Sequence, residues 1–195
     1  MRPVATRTRR VEEKEGNRFM QFSVGDKVVH PYHGAGRITG LERKELLDEA
    51  KRYFVIDIPS RQLTVWIPRS KMEQIGIRPA MSRAKFDGIM DTLQSRPQPL
   101  PEDYRDRQEE VWEKLKTGRT TQIAEVVRDL TWHKELAHLT KKDQEYLNRG
   151  REMLSAEMAL VSGTDAEDVE ARLDTVLMAA VARLQIEGES QAPIH

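Results

Sequence analysis

The chain from Phe22 to Ile77 consists of short apolar runs, some of which alternate with polar residues. A period of two residues is typical of β-strands that bury one face. Glycines and prolines separate the runs, which are KVVHP, AGRITGLERKELL, KRYFVIDIP and RQLTVWIPRS. Several strands in so short a segment predict a small, strongly bent sheet or a partly open barrel.

The pattern becomes helical from Ser82 onward, where apolar residues recur on one face of a helix. Ser82, Asp103 and Thr140 are predicted N-caps, and Asp143 would complete a capping box with Thr140. The prolines of RPQPLPED, Gly118 and the sequence SGTD are predicted to separate the helices. The predicted apolar faces contain Phe86, Ile89, Met90 and Leu93; Val111, Trp112 and Leu115; Ile123, Val126, Val127 and Leu130; Leu147, Leu154 and Met158; and Val169, Leu173, Val176, Leu177, Ala180, Val181 and Leu184.

These patterns together predict an α+β protein with two domains. A small bent β-sheet or partial barrel is followed by an all-α domain of about five helices. We place the sheet domain at residues 21–79 and the helical domain at residues 80–186. Residues 1–20 have mixed charge without apolar periodicity, and residues 187–195 follow the last apolar stripe. Both ends are predicted to be flexible tails.

The composition predicts a soluble protein with modest cores, because 38% of the 195 residues are hydrophobic and 33% are charged. No apolar run has membrane length, and the chain lacks a signal-peptide pattern, so no membrane association is expected. The chain contains no cysteine. This excludes disulfides, thiolate metal sites and cysteine nucleophiles, and it fits a cytoplasmic location.

The charge distribution restricts contacts with nucleic acid, although the formal net charge is zero. Residues 1–19 have 6 Lys and Arg against 3 Asp and Glu (net +3), and residues 20–79 have 10 against 7 (net +3). Residues 80–195 have 16 against 22, a net charge of −6. Any contact with DNA must therefore be local and must work against an acidic background.

The segment VGDKVVHPYHGAGRI has the residue types of an active-site loop. A metal site at His30 and His33 would need further ligands, and the other three histidines fall in the helical half. Pro31 and the glycines explain the segment more simply as a tight reversal of the chain. No phosphate loop, nucleophile elbow or carboxylate pair stands out either. We therefore predict no catalytic residues, metal or cofactor. The alternative is an enzyme whose active site contains His30 and His33.

Two aromatic residues are the candidates for contacts with a partner. Trp66 alternates with Val65 and Ile67, so it points outward if those two residues are buried. An outward tryptophan favours a partner surface, although it could pack on the helical domain instead. Tyr104 lies in the first turn of a predicted helix. It is either an exposed ring beside Arg105 and Arg107 or a staple packed under the loop, and the pattern alone favours the staple.

The order of these segments resembles the CarD/CdnL family of bacterial RNA polymerase-binding transcription regulators. FSVGDKVVHPYHGAGRITGLE and LTVWIPRSKMEQIGIR resemble strands of the family's first domain. EVWEKLKTGRTTQIAEVVRDL and LNRGREMLSAEMAL resemble helices of its second domain. The likeness extends from about Phe22 to Leu184, and its motifs occur in the family's order.

The resemblance implies a fold and a function. The sheet would be a Tudor-like domain that docks on the protrusion region of the polymerase β subunit by sheet extension. The helical domain would reach promoter DNA at the upstream edge of the melted region, where a tryptophan of the family wedges into the minor groove. A monomer of this kind, located on the nucleoid through polymerase, would stabilise the open complex of the housekeeping σ holoenzyme. Its own DNA binding would be weak and independent of sequence.

The resemblance also assigns residues by position. Arg43, Lys44, Trp66 and Pro68 fall where the family contacts polymerase. The DNA-binding positions are Tyr104, Arg105 and Arg107, with Tyr104 at the wedge.

Three positions depart from the family. Tyrosine replaces the usual tryptophan of the wedge at Tyr104, while Asp106 and Glu109 stand where relatives often carry basic residues. Acidic groups repel phosphates, so weak DNA binding is expected. The alternative is a protein–protein adaptor that docks on polymerase or a repair helicase without touching DNA.

Overall fold

The computed structural model describes residues 22–46 and 49–190, so the predicted N-terminal tail lies outside the described residues. A five-stranded antiparallel sheet comes first, with the strand order β4-β3-β2-β1-β5. Its strands are β1 (Lys27–His30), β2 (Gly34–Leu46), β3 (Glu49–Ile58), β4 (Leu63–Pro68) and β5 (Arg78–Pro79). A 3-10 turn (Arg69–Lys71) and one short α-helix, α1 (Met72–Ile75), lie between β4 and β5.

Successive side chains of β3 point alternately to the buried face and to the outer face of the sheet. Phe54 pairs with Ile67 of β4, and Ile56 pairs with Val65, on the side that is buried. Val55 pairs with Trp66 on the opposite side. The buried core of the sheet consists of Phe22, Val28, Ile38, Phe54, Ile56, Ile58, Ile67, Met72 and Ile77. The predicted outward direction of Trp66 is therefore confirmed.

Five helices follow the sheet, as predicted. They are α2 (Arg83–Gln94), α3 (Tyr104–Lys116), α4 (Thr120–Leu136), α5 (Lys141–Ser162) and α6 (Ala166–Ser190). This confirms the predicted fold class, an α+β protein in which a Tudor-like open sheet precedes an all-α domain. Within the described residues, none of the helices combines the length and apolarity that a membrane span requires.

The predicted helix ends are largely confirmed. Asp103 caps α3 by accepting hydrogen bonds from the backbone N–H groups of Arg105 and Asp106. Thr140 and Asp143 form the capping box of α5. Ser82 occupies the N-cap position of α2, but its side chain makes no capping hydrogen bond.

The core of the helical domain forms around α4 and α5. Its members include Leu93, Val111, Leu115, Ile123, Val127, Leu130, Leu147, Leu154, Met158, Leu173 and Leu177. A Cβ atom at Gly150 of α5 would lie only 2.9 Å from Cγ2 of Val127 in α4. Glycine therefore permits the close approach of these two central helices.

Two predictions about the helices are wrong in detail. Trp112 is 38% exposed, although its spacing placed it on the buried face of α3. Its ring stacks on Tyr146 of α5 at 5.9 Å, at the rim of the core. The helix α6 continues through Ser190, so residues 187–190 are helical and not part of a tail. Residues 191–195 lie outside the described part of the chain.

Candidate functional site

The histidine loop is the three-residue turn between β1 and β2. Gly34 follows it with φ +90°, a conformation that glycine adopts without strain. His30 is buried, and its Nδ1 accepts hydrogen bonds from the backbone N–H of Tyr32 (3.1 Å) and of His33 (3.3 Å). The ring of His33 packs against that of His30 in a tilted arrangement, with the centroids 4.4 Å apart and the planes at 45°. In the described residues no group of three or more His, Cys, Asp or Glu side chains is placed to hold a metal ion.

The burial of His30 has a consequence for stability. Desolvation, and next the nearby His33, lower the pKa of His30 from 6.5 to about 4. The neutral ring accepts the two hydrogen bonds of the turn, whereas a protonated Nδ1 cannot accept them. The unfolded chain therefore binds a proton at His30 at a higher pH than the folded chain does. The contribution of His30 to stability is complete above pH 6.5 and is lost as the pH falls toward 4.

We predict that the free energy of unfolding decreases between pH 6.5 and pH 4, by up to about 3 kcal/mol from His30 alone. His30→Asn is the comparison, because the asparagine Oδ1 can accept from the same backbone groups without titrating. Urea denaturation across this pH range should give a smaller slope for His30→Asn. The pKa of His133 is also lowered, mainly by burial, so some slope remains in both proteins. Identical slopes would contradict this role of His30.

Trp66 is the centre of the first candidate surface, on the outer face of the sheet. Its side chain is 44% exposed, and its indole Nε1 donates a hydrogen bond to Glu42 Oε2 at 3.0 Å. Lys44 Nζ lies 4.2 Å from the ring centroid and 3.8 Å from Glu42 Oε2. These contacts hold the indole in one orientation while part of its surface stays open. Sequence reasoning missed Glu42, because only the strand register brings it onto the face of Trp66.

The strand that carries Trp66 lies at an edge of the sheet. β4 pairs with β3, and no strand of the described chain pairs with its other side. An edge strand presents backbone groups that another strand can use. Pro68 ends this strand on the outer face. Arg43 is largely exposed, but it lies on β2, which β3 separates from β4, and it follows the opposite alternation from Lys44, so it does not share the face of Trp66. The structure thus brings Lys44, Trp66 and the open edge together.

Tyr104 is the centre of the second candidate surface. It begins α3 and is 47% exposed, so it is not a buried staple under the preceding loop. Arg105 Nε donates a hydrogen bond to the tyrosine hydroxyl at 3.1 Å, and the guanidinium lies 5.5 Å from the ring centroid. The exposed side chains of Asp106 and Glu109 lie on the same helix. The surface therefore combines one aromatic ring with one cation, and two exposed carboxylates follow it on the same helix.

Arg107, the third predicted DNA-binding residue, does not belong to this surface, because it is buried. It is only 4% exposed, and its guanidinium donates to Asp143 Oδ2 at 2.9 and 3.3 Å. Its remaining contacts are the carbonyl oxygens of Pro101 (2.9 Å) and Glu102 (3.1 Å). Arg107 therefore holds the loop that precedes Tyr104 against the start of α5.

The carboxylate of Asp143 is ionised in this buried pair. Burial by itself raises the pKa of Asp143, but hydrogen bonds from the Arg107 guanidinium, and from the hydroxyl and backbone N–H of Thr140, lower it more. The charge of Arg107 adds to this effect, and the pKa lies below its ordinary value. The same carboxylate thus completes the cap of α5 and neutralises Arg107.

Comparison with known proteins identifies the class. A family model described as "CarD-like/TRCF RID domain" matches residues 22–81, and one described as "CarD, C-terminal domain" matches residues 88–174. The Bacillus subtilis (strain 168) protein named "Putative transcription factor YdeB" is 33% identical over 149 residues. The match covers 76% of this chain and 97% of that protein. The chain therefore belongs to the CarD-like family of transcription regulators, as its motifs predicted.

Proposed function

We propose that this chain binds the β subunit of bacterial RNA polymerase with its sheet and stabilises the open promoter complex with its helical domain. The observation that carries the proposal is the pair of exposed aromatic surfaces, one on each domain. Trp66 lies beside an unpaired strand edge, and Tyr104 stands at the start of a helix. Neither ring fills the core of its own domain, so both are available to partners.

The polymerase contact would form along β4, an edge strand of the sheet. A strand of the β subunit, in its protrusion region, would add to β4 through backbone hydrogen bonds, and Trp66 would cover the junction from the outer face. Lys44 would meet an acidic group there, Arg43 would do so from the opposite face of β2, and Pro68 would end the paired segment. Buried tryptophans and cations commonly dominate the affinity of such interfaces.

The DNA contact would be weak by itself. Of the two predicted arginines only Arg105 lies beside Tyr104, since Arg107 is buried. The exposed Asp106 and Glu109 on the same helix repel phosphates. Docking on polymerase would compensate, because tethering raises the local concentration of promoter DNA. A ring that inserts at the edge of the melted DNA needs no base-specific contact, so the effect would not depend on sequence.

We predict that Tyr104→Ala shortens the lifetime of the open complex without changing the affinity for polymerase. If the ring favours the open state by about 1.4 kcal/mol, its loss reduces the open-to-closed ratio about tenfold. Tyr104→Trp should lengthen the lifetime, because a larger ring covers more of the exposed base step. The lifetime is measured by challenging preformed complexes, saturated with each variant, with a DNA competitor. Equal lifetimes for all three proteins would contradict the DNA contact.

A second candidate function is that of an adaptor that docks on polymerase or a repair helicase and binds protein with its helical domain. The observation that favours it is the exposure of Asp106 and Glu109 on α3 together with the burial of Arg107. An adaptor of this kind requires docking through Trp66 but no effect of Tyr104 on the open complex. The Tyr104 series described above therefore separates the two functions.

A further inference from the structure

A buried carboxylate lies where the two domains meet. Glu157, in the second half of α5, is 2% exposed. Its oxygens accept hydrogen bonds from both terminal nitrogens of Arg78 at 2.8 Å and from the backbone N–H of Met81 at 2.7 Å. The hydroxyl of Thr120 donates a further, longer bond at 3.3 Å. This carboxylate therefore joins the helical core to the end of the sheet.

Arg78 is the partner that belongs to the sheet. It forms part of β5 and pairs with Val29 of β1. Besides the fork on Glu157, its Nε donates to the carbonyl oxygen of Gly118, in the turn between α3 and α4, at 3.0 Å. One guanidinium thus binds both α5 and the α3–α4 turn. A planar fork of this kind fixes direction as well as distance, which a lysine ammonium does not.

The other polar contacts between the domains are more exposed or less specific. Arg61 pairs with Glu152 at 3.3 Å, but both side chains are about half exposed. Solvent screens such a pair, so it contributes little to the stability of the contact between the domains. Lys27 Nζ donates to the carbonyl oxygen of Val161 at 3.1 Å. The sheet and the helices also have separate cores, which share no residue. The β1–β2 hairpin packs on α5, and beside that packing Arg78–Glu157 is the better buried of these two ion pairs between the domains.

We propose that Arg78 and Glu157 are positioning residues, which fix the angle between the sheet and the helices. This role rests on the proposed function in one respect: the angle determines where Tyr104 stands once Trp66 is docked on polymerase. Neither residue needs to touch DNA or polymerase. They hold the helical domain at a fixed angle, so that Tyr104 is correctly placed when the sheet docks on polymerase.

The first test measures the orientation without polymerase. Because the chain has no cysteine, spin labels can be attached at Gln74→Cys, in α1, and at Ala171→Cys, in α6, both exposed positions. The distance distribution between the labels should be narrow in the parent protein. It should broaden or gain a second maximum in Arg78→Ala and Glu157→Gln, and broaden less in Arg78→Lys, which keeps the charge but loses the fork.

Arg61→Ala is the matched control, because it removes an arginine–glutamate pair from the same interface at an exposed site. Its distance distribution should equal that of the parent. Circular dichroism checks that each variant is folded, and Arg78→Lys carries the test if Arg78→Ala unfolds. Distributions that stay as narrow in Arg78→Lys and Glu157→Gln as in the control would overturn the proposal.

The second test adds polymerase and promoter DNA. Arg78→Ala should shorten the open-complex lifetime by up to about tenfold, as far as Tyr104→Ala does, with unchanged affinity for the β subunit. Combined with Tyr104→Ala it should add nothing further, because misplacing an absent ring has no effect. The distance distribution can broaden in Arg78→Ala while neither Arg78→Ala nor Tyr104→Ala changes the open-complex lifetime. In that case the proposed function fails, but the role of Arg78 in orienting the domains stands. An additive effect in the double variant would overturn the role of Arg78 in placing Tyr104.

Discussion

Arg107→Met should destabilise the helical domain by about 3–5 kcal/mol, the largest loss that we expect from a single substitution in this chain. The substitution leaves the carboxylate of Asp143 buried without its cation. It also frees the carbonyl oxygens of Pro101 and Glu102, which Arg107 holds. Urea denaturation followed by helical circular dichroism at pH 7 measures the free energy of unfolding.

Arg105→Met is the matched control, since Arg105 lies two positions away on the same helix but is exposed. Its cost should remain below about 0.5 kcal/mol. The cost of Arg107→Met should also decrease in acid. Because the pKa of Asp143 is lowered, its contribution is present above the ordinary carboxyl pKa and disappears as the pH falls through the folded value. Equal costs for the two arginines at pH 7 would contradict the buried pair.

Trp66→Ala should weaken binding to the polymerase β subunit by about 2 kcal/mol or more, or roughly 30-fold. The indole is an exposed aromatic side chain on the outer face of β4, and its orientation is already fixed by Glu42 and Lys44. A ring that is held in place before binding loses little conformational entropy in the complex. Calorimetric titration of the isolated β protrusion region measures the change in affinity.

Trp112→Ala provides the control for that titration. Trp112 is exposed to a similar degree, but it lies on the helical domain and stacks on Tyr146. Its loss should leave the affinity for the β subunit unchanged. If both tryptophan variants bind as tightly as the parent, the docking surface lies elsewhere on the chain.

The sequence pattern predicted the direction of Trp66 because strand alternation is a local property. Val65 and Ile67 had to be buried for the small sheet to have a core, and this alone turned Trp66 outward. The helix ends followed from local chemistry as well, since Asp103, and Thr140 with its capping box, act within one turn. The contact between Trp66 and Glu42 could not be predicted from the sequence, because it depends on the register of β2, β3 and β4.

Arg107 shows why the candidate DNA surface was only partly predictable. In sequence it is one of two arginines that follow Tyr104 closely, and nothing local distinguishes it from Arg105. Its burial results from Asp143, which lies 36 positions further along the chain. Trp112 was misplaced for a related reason. The spacing of apolar residues gives the direction of a face but not how far the neighbouring helix covers it.

The histidine loop was interpreted correctly from turn chemistry. Pro31 and the glycines indicated a reversal, and the structure adds that His30 fastens the turn with its own Nδ1. The pattern could not reveal this contact, because it requires the ring to be buried and neutral. A residue pair that resembled a metal site thus supports the hairpin that lies against α5.

We expect the chain to slow the collapse of the open promoter complex. The most direct measurement is the lifetime of that complex, formed by polymerase with its housekeeping σ factor, at increasing concentrations of the chain. The lifetime should lengthen and reach a plateau over the concentration range in which the chain saturates the β subunit. A lifetime that stays constant across that range, with binding demonstrated in the same samples, would contradict this expectation.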